Sequence, residues 1–291
     1  MLRFLFWNVQ HGSAAFISTP NKCSIVADLG TGIVGEDRLL SPISVLRANG
    51  YLEQLHLLIL THPHYDHLAD IHSLSGIPVR NLIAPRVPLE LLDSVCANDP
   101  TIIDQYRRLL DSFEYKLPFE LGKDRTDDWD GAKLTPFFPT CDTANVNNCS
   151  VVVLCEYAGA KLLLTGDNEE ASWKNLLDDK RFRKAVADVD IFVAPHHGRS
   201  SGFYPPLFDI MRPKLTVISD GTCQETSITE IYANVSSGMT VDLGGTKQKR
   251  KCVTTRRDGS ILIEFHNGLF STIRVRTECP VERSERKIRI L

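Results

Sequence analysis

Ten consecutive residues, THPHYDHLAD (61–70), place His62, His64, Asp66 and His67 within six positions, directly after the apolar run LHLLIL. Burying that many titratable groups without partners would cost roughly 2–7 kcal/mol for each polar group, so something must repay the cost. The apolar run reads as a buried strand. On extended chain leaving it, the two-residue side-chain period sends His62 and His64 to one side. Asp66 and His67 stand where the next helix begins, so the turn can aim them at a point beside the first pair. Imidazole and carboxylate together suit zinc and, with more oxygen, manganese. The alternative is a polar helix cap with histidines in solvent. Four ligand-type side chains at this spacing argue against it.

Two more strand ends carry chemistry. LLLTGD finishes on Asp167, which alone would read as a cap for the helix NEEASWKNLL. VAPHHGRSSGF sets His196 and His197 at another strand end. With the first cluster, these supply ligands for each of two ions and one bridging carboxylate.

The elements that must position these groups alternate along the chain. LRFLFWNV and AAFIST read as a hairpin around QHGS, and CSIVADLG as a third strand. SPISVLRANGYL reads as a helix with Ser41 at its N-cap and Pro42 at its first position. VRNLIAP is a strand, 89–113 is helical with a break near Asn98-Asp99-Pro100, and ELGKDRTDDWDG is a polar connector. AKLTPFFP, SVVVLCEY, AKLLLTGD, DVDIFVAP and LTVISDG read as strands. EEASWKNLLDD, RFRKAVAD, PLFDIMR and TEIYANVSS read as helices, and KCVTTRRDGSILIEF as a closing hairpin turning at Asp258-Gly259. The alternation predicts an α/β sandwich with sheets inside and helices outside. No low-complexity linker divides it, so residues 1–291 are expected to form one domain with a helical insertion around 87–130.

Composition sets the bounds. A hydrophobic fraction of 43% with 24% charged residues is that of an ordinary globular protein. The net charge of −3 excludes a bulk polyanion binder, but the charge is uneven. From Thr246 to Leu291 there are twelve Lys/Arg against five Asp/Glu, a local +7 that leaves −10 for the rest. Such asymmetry fits an acidic partner or a solvated edge equally. No apolar stretch approaches the ~20 residues that span a bilayer, and the N-terminal apolar run is short for a signal peptide. The eight cysteines (Cys23, Cys96, Cys141, Cys149, Cys155, Cys223, Cys252 and Cys279) show no CxxC pair. Reduced thiols, mostly packing, in a cytoplasmic protein are expected.

In order, WNVQHGSAAFI, VADLGTG, THPHYDHLAD, NNCSVVVLCEYAGAKLLLTGD, APHHGRSSGF, VISDG and TTRRDGSILI make the chain resemble metallo-β-lactamase-fold hydrolases, and among them the domain attached to the competence protein ComEC. The resemblance implies a four-layer αβ/βα sandwich with its site where the strands of two sheets end. It implies two divalent ions, zinc or manganese. His62 and His64 would hold the first, Asp66, His67 and one of His196/His197 the second, with Asp167 bridging. His197 is favoured as the ligand and His196 as the residue facing substrate. Two departures stand out. Asn147-Asn148-Cys149-Ser150 occupies the place where many relatives carry a third histidine for the first ion. The N-terminal pattern Asp-Val-Gly-Gln-Gly-Asp reads Asn8-Val9-Gln10-His11-Gly12-Ser13, losing both acids and gaining His11, a candidate substrate contact. His56, His72 and His266 lack such company and read as structural or exposed.

The expected chemistry is attack by a metal-bound hydroxide. Asp66 and Asp167 would orient it, His196 would donate a proton or stabilise charge, and Arg199 would bind a phosphate oxygen. Phosphodiester or nucleic-acid cleavage is the leading reading, with Lys247, Lys249, Arg250, Lys251, Arg256 and Arg257 tracking the backbone. A small ester, lactone, amide or nucleotide as substrate, and a metal-binding subunit of a larger complex, are the alternatives.

Overall fold

The computed structural model describes residues 1–34, 38–92, 95, 99–113, 129–141, 144–221, 226–267 and 272–277. Among these, one sheet has nine strands in the order Thr246–Arg250, Met239–Leu243, Thr272–Thr277, Ile261–His266, Leu2–Phe6, Ala15–Ser18, Ser24–Ala27, Leu57–Ile59 and Leu82–Ile83. A second has six, in the order Cys252–Thr254, Leu215–Ile218, Ile191–Val193, Ala160–Leu164, Val152–Tyr157 and Lys133–Phe137.

Strand alternation decides which residues lie between the sheets. Phe4, Phe6, Ile17 and Ile25 from the first pack in one cluster with Val153, Leu162, Ile191 and Val217 from the second. The opposite face of the first sheet, through Phe16, Val26 and Leu58, meets Ile43, Leu46, Ile103 and Tyr106 of the helices Pro42–Ala48 and Pro100–Phe113. That of the second, through Leu154, Leu163 and Phe192, meets Trp173, Phe182 and Tyr232 of three other helices. The layers run helix, sheet, sheet, helix. Each fully buried Val, Leu, Ile or Phe side chain contributes about 1.5–3 kcal/mol through area removed from water, so three apolar interfaces hold the strand ends in place.

Local signals read from the sequence account for much of this. Ser41 Oγ accepts from Ser44 N at 3.0 Å, with Pro42 in the first turn of its helix. Leu2–Phe6 and Ala15–Ser18 pair antiparallel. PLFDIMR forms a 3-10 helix at Pro205–Asp209 rather than an α-helix. The break in 89–113 and most of the polar connector lie in part outside the described residues, on either side of Leu89–Leu92 and Pro100–Phe113.

The closing hairpin expected over KCVTTRRDGSILIEF does not form. Cys252–Thr254 pairs parallel with Leu215–Ile218, whereas Ile261–His266 pairs with Leu2–Phe6 in the other sheet. Between them, Thr254 Oγ1 accepts from Arg257 N and Asp258 Oδ2 accepts from Thr254 N. This capped turn, Thr255–Asp258, carries the chain across the sandwich, and Asp258-Gly259 ends it. An unassigned hairpin instead joins Met239–Leu243 to Thr246–Arg250 through Gly244-Gly245, both at positive φ.

The cysteines also depart from expectation. Cys141 and Cys149 form a disulfide, their Cα atoms 4.3 Å apart, because the 3-10 turn Val146–Cys149 folds the short loop back on itself. Cys23, Cys155 and Cys252 are free; Cys96, Cys223 and Cys279 lie outside the described residues. The disulfide removes this pair from the argument for a reducing compartment. Among the described residues, no helix is long and apolar enough to cross a membrane.

Candidate metal centre

All three chemistry-bearing segments arrive at one place, because each leaves the end of a strand, one next to the edge of the first sheet and two central in the second. Residues 61–67 follow Leu57–Ile59, Asp167 follows Ala160–Leu164, and His196-His197 follow Ile191–Val193. The two sheets meet there through Val151 N, which donates to Thr61 O at 3.0 Å. Gly166, at φ +55°, lets the chain pass: a Cβ would sit 2.8 Å from both Ser150 Cβ and Thr61 Cβ. His196 and His197 both hold positive φ, 49° and 54°, a conformation that costs non-glycine residues about 1–3 kcal/mol and concentrates at functional sites.

His67 is the hub. Its ring is buried, with Nδ1 2.8 Å from Asp28 Oδ2 and Nε2 3.3 Å from Asp167 Oδ1 and 3.9 Å from Asp66 Oδ2. Asp28, at φ 58°, also accepts from Thr61 N and Thr61 Oγ1. His62 Nε2 lies 3.8 Å from Asp167 Oδ2 and 3.0 Å from His64 Nδ1. His197 engages Ser219 O through Nδ1 at 3.0 Å, which turns Nε2 to Asp66 Oδ2, also at 3.0 Å. A ring nitrogen held by a carboxylate or a carbonyl fixes which nitrogen is left to face a cation.

His196 faces differently. Its Nδ1 contacts Glu169 Oε1 and Ser201 Oγ, both at 2.8 Å, and its Nε2 lies 4.0 Å from Asp167 Oδ2 and 3.4 Å from Arg199 Nη1. Two side chains that sequence reasoning passed over therefore support the cluster: Asp28 beneath His67, and Glu169 behind His196. The first is the lone acid of VADLG, just past a strand end; the second reads as an ordinary helix cap, which it also is.

Several observations test whether ions fit. Burial holds His62 well below the usual histidine range. Burial also works against charge on His67, but Asp167, Asp28 and Asp66 more than offset it and raise that ring well above its usual range. His197 is raised in the same way, burial being outweighed by Asp167 and Asp66. Three carboxylates thus draw positive charge into a buried space. His67 Nε2, wholly buried, faces only carboxylate oxygens, at 3.3 and 3.9 Å, and makes no well-aligned hydrogen bond to either. Donors sharing one tetrahedral ion at 2.0–2.1 Å stand about 3.3–3.4 Å apart, close to the separations here. The residues fit divalent metal.

The groupings differ from the expected partition. Among the described residues, the triads whose donor atoms all lie within 4.8 Å of one another are His62, His67, Asp167 and His11, Asp66, His197. His64 contacts His62 and joins neither. His67 stands between both groups, drawn toward Asp167 while Asp28 anchors its far side. Where a third histidine was sought, Asn148 Oδ1 accepts from Glu169 N and from Ser172 N and Oγ, capping the helix Glu170–Asp178. Asn147 donates to Glu169 Oε1, and Cys149 is in the disulfide.

A cavity of about 30 Å³ between the sheets, walled by Phe6, Ala15 and Leu164, reaches Asp28, His67 and Asp167 from below. That admits a water or an ion; His11, His64, His196 and Arg199 are among the less buried side chains around the cluster. Arg256 is elsewhere committed: its buried side chain pairs with buried Asp220 at 3.5 Å and reaches Ser227. Arg257 is exposed, as are Lys247, Lys249 and Lys251. Arg250 pairs with Asp258. Residues 247–250 lie on the sheet's edge strand, seven places from Leu57–Ile59, or about 34 Å along the sheet at ~4.8 Å per strand. His56, His72 and His266 lie in separate contacts, with Ser24, Thr101 and Glu264.

The four layers, with the His-x-His-x-Asp-His segment at the strand ends, make this the metallo-β-lactamase fold. No protein-family model and no curated protein matches the sequence. Among solved structures, the chain is similar to the hydrolase AbOPH of the beta lactamase superfamily, at 19% identity over 53% of this chain and 55% of that one, with a TM-score of 0.33. The chain thus spans just over half the length of that relative. It is also similar to a structure described as a Zn-dependent hydrolase of the metallo-beta-lactamase superfamily from Thermotoga maritima (11% identity, 87% and 97% coverage, TM-score 0.41). A third, described as a metal-dependent hydrolase from Parabacteroides distasonis, gives 15% identity, 84% and 90% coverage and a TM-score of 0.46.

Proposed function

We propose that this protein is a metal-dependent hydrolase that cleaves phosphodiesters. The observation that carries the reading is the buried convergence of His62, His67 and Asp167 beside Asp66 and His197, with the carboxylates of Asp28, Asp66 and Asp167 all within 4 Å of the buried His67 ring. His62, His64, Asp66, His67, Asp167 and His197 would hold two divalent ions, zinc or manganese. When bound, such ions acidify a water and neutralise charge on the group it attacks. Around them, Asp66 and Asp167 accept from the attacking water and orient it. Glu169, at Nδ1, sets the His196 ring so that Nε2 faces the cluster, beside the leaving oxygen it would serve. Arg199, whose Nη1 meets His196 Nε2, offers a guanidinium to a phosphate oxygen on the same rim.

A second reading has its own support. Arg256 is tied to Asp220 and the exposed lysines lie on the far sheet edge, so a small phosphodiester, nucleotide or ester needs fewer contacts than a polynucleotide. The test is incubation of metal-loaded protein with single- and double-stranded DNA, RNA, bis(p-nitrophenyl) phosphate and p-nitrophenyl acetate in zinc or manganese. Turnover of phosphodiesters supports the proposal. Turnover of the acetate alone overturns the phosphodiester reading.

A further inference from the structure

We propose that His11 is a ligand of the ion held by Asp66 and His197, rather than a contact for substrate. This rests on the metal reading above and names a donor for one of its sites. His11 Nε2 lies 3.6 Å from Asp66 Oδ2, and His197 Nε2 lies 3.0 Å from that same oxygen. The His11 and His197 rings are 4.8 Å apart between centroids. These separations bracket the spacing of about 3.3–3.4 Å expected for donors on one tetrahedral ion.

The turn that carries His11 is built against the other two donors. Gly12, at φ +135°, passes so close to Asp66 that a Cβ would sit 2.6 Å from Asp66 O. Ser13 N donates to that carbonyl at 3.1 Å. Ser219, whose carbonyl orients His197, donates its Oγ to Gly12 O at 2.7 Å. A Cβ on Gly221 would stand 2.8 Å from His11 N, which closes the other side. Asp66, His197 and His11 are thus fastened through one set of backbone contacts and hold their relative positions together. Such shared support is what a metal site needs to keep donors within a few tenths of an ångström. The His11 side chain is 53% exposed and that of His197 3%, so His11 would supply the donor on the solvent side and His197 the one from within.

Cobalt(II) titration of the metal-stripped full chain tests this, followed by calorimetry and by visible and near-ultraviolet absorption, for wild type, H11A and H11C. Wild type should take up two ions. H11A should keep one affinity and lose the other by tenfold or more, at least the loss that follows removal of an outer-shell partner. H11C should show a thiolate-to-cobalt charge-transfer band, a readout that survives even if H11A folds poorly. Wild-type affinities in H11A with no such band in H11C overturn the proposal and leave the metal reading intact. No cobalt uptake by wild type overturns the metal reading, and the His11 assignment with it.

Discussion

The Asp28 carboxylate lies 2.8 Å from Nδ1 of His67, and both side chains are almost wholly buried. That contact fixes the ring so that Nε2 points at Asp167 and Asp66. An amide in its place could donate to Nδ1 and reverse the tautomer, removing the lone pair from Nε2. Asp28→Asn should therefore lower metal affinity by about 10–100-fold with secondary structure retained by circular dichroism. Unchanged affinity in a calorimetric titration would show that Asp28 serves only to hold Thr61.

Metal should also stabilise the fold, since the carboxylates around His67 gain a partner. An ion at a hundred times its Kd adds about 2.7 kcal/mol, a rise of several degrees in Tm for a chain of this size. Zinc or manganese added to stripped protein should produce it, and Asp167→Asn should abolish most of it. A melting curve indifferent to both ions counts against the site.

The two ions should differ in affinity. With Asn148 capping a helix and Cys149 in a disulfide, the His62 side gains no replacement for a third histidine. Calorimetry of the stripped protein should resolve two binding events. Two equal, tight events would mean that a neighbour such as Asn147 moves in as a ligand.

Glu169 Oε1 lies 2.8 Å from His196 Nδ1, so on the proposed function it would position that ring. Glu169→Gln should lower kcat by about tenfold or more and leave KM nearly unchanged, while His196→Ala should cost on the order of 10²-fold or more in kcat. Equal effects of Glu169→Gln on kcat and KM would assign Glu169 to substrate binding or to general structure.

Arg256 and the surface lysines should behave differently. Removing Arg256 strands buried Asp220, a loss of about 3–5 kcal/mol for a broken buried pair, measurable by urea denaturation. Charge reversal at Lys247 and Lys249 should leave stability within roughly 0.5 kcal/mol. If it also flattens the salt dependence of nucleic-acid cleavage, the edge strand contributes to binding; if cleavage at every salt concentration is untouched, those lysines only solvate the edge, as lysines on edge strands commonly do.

Much of the candidate site was legible because its signals are local. His62, His64, Asp66 and His67 sit within six residues, and the strand before them is written in consecutive apolar residues. The same holds for the helix capped by Ser41, whose donor and acceptor are three residues apart. Asp167 and His197 were legible as strand-end residues, each with a turn signal beside it.

What the sequence could not decide depends on pairs far apart in the chain. The Asp28–His67 contact spans 39 residues and the His197–Asp66 contact 131; no local pattern encodes either. His11 read as a candidate substrate contact, and only the packing of Gly12 on Asp66 brings it to His197. Asp258-Gly259 looked like the turn of a hairpin, but the capped turn Thr255–Asp258 sends the chain from one sheet to the other, because each flanking strand finds its hydrogen-bond partner in a different layer. Residue types and spacing determined that a metal-binding chemistry was present. Which donors meet, and which arginine is free to face a substrate, were decided by tertiary packing, because those distances are set by the stacking of two sheets.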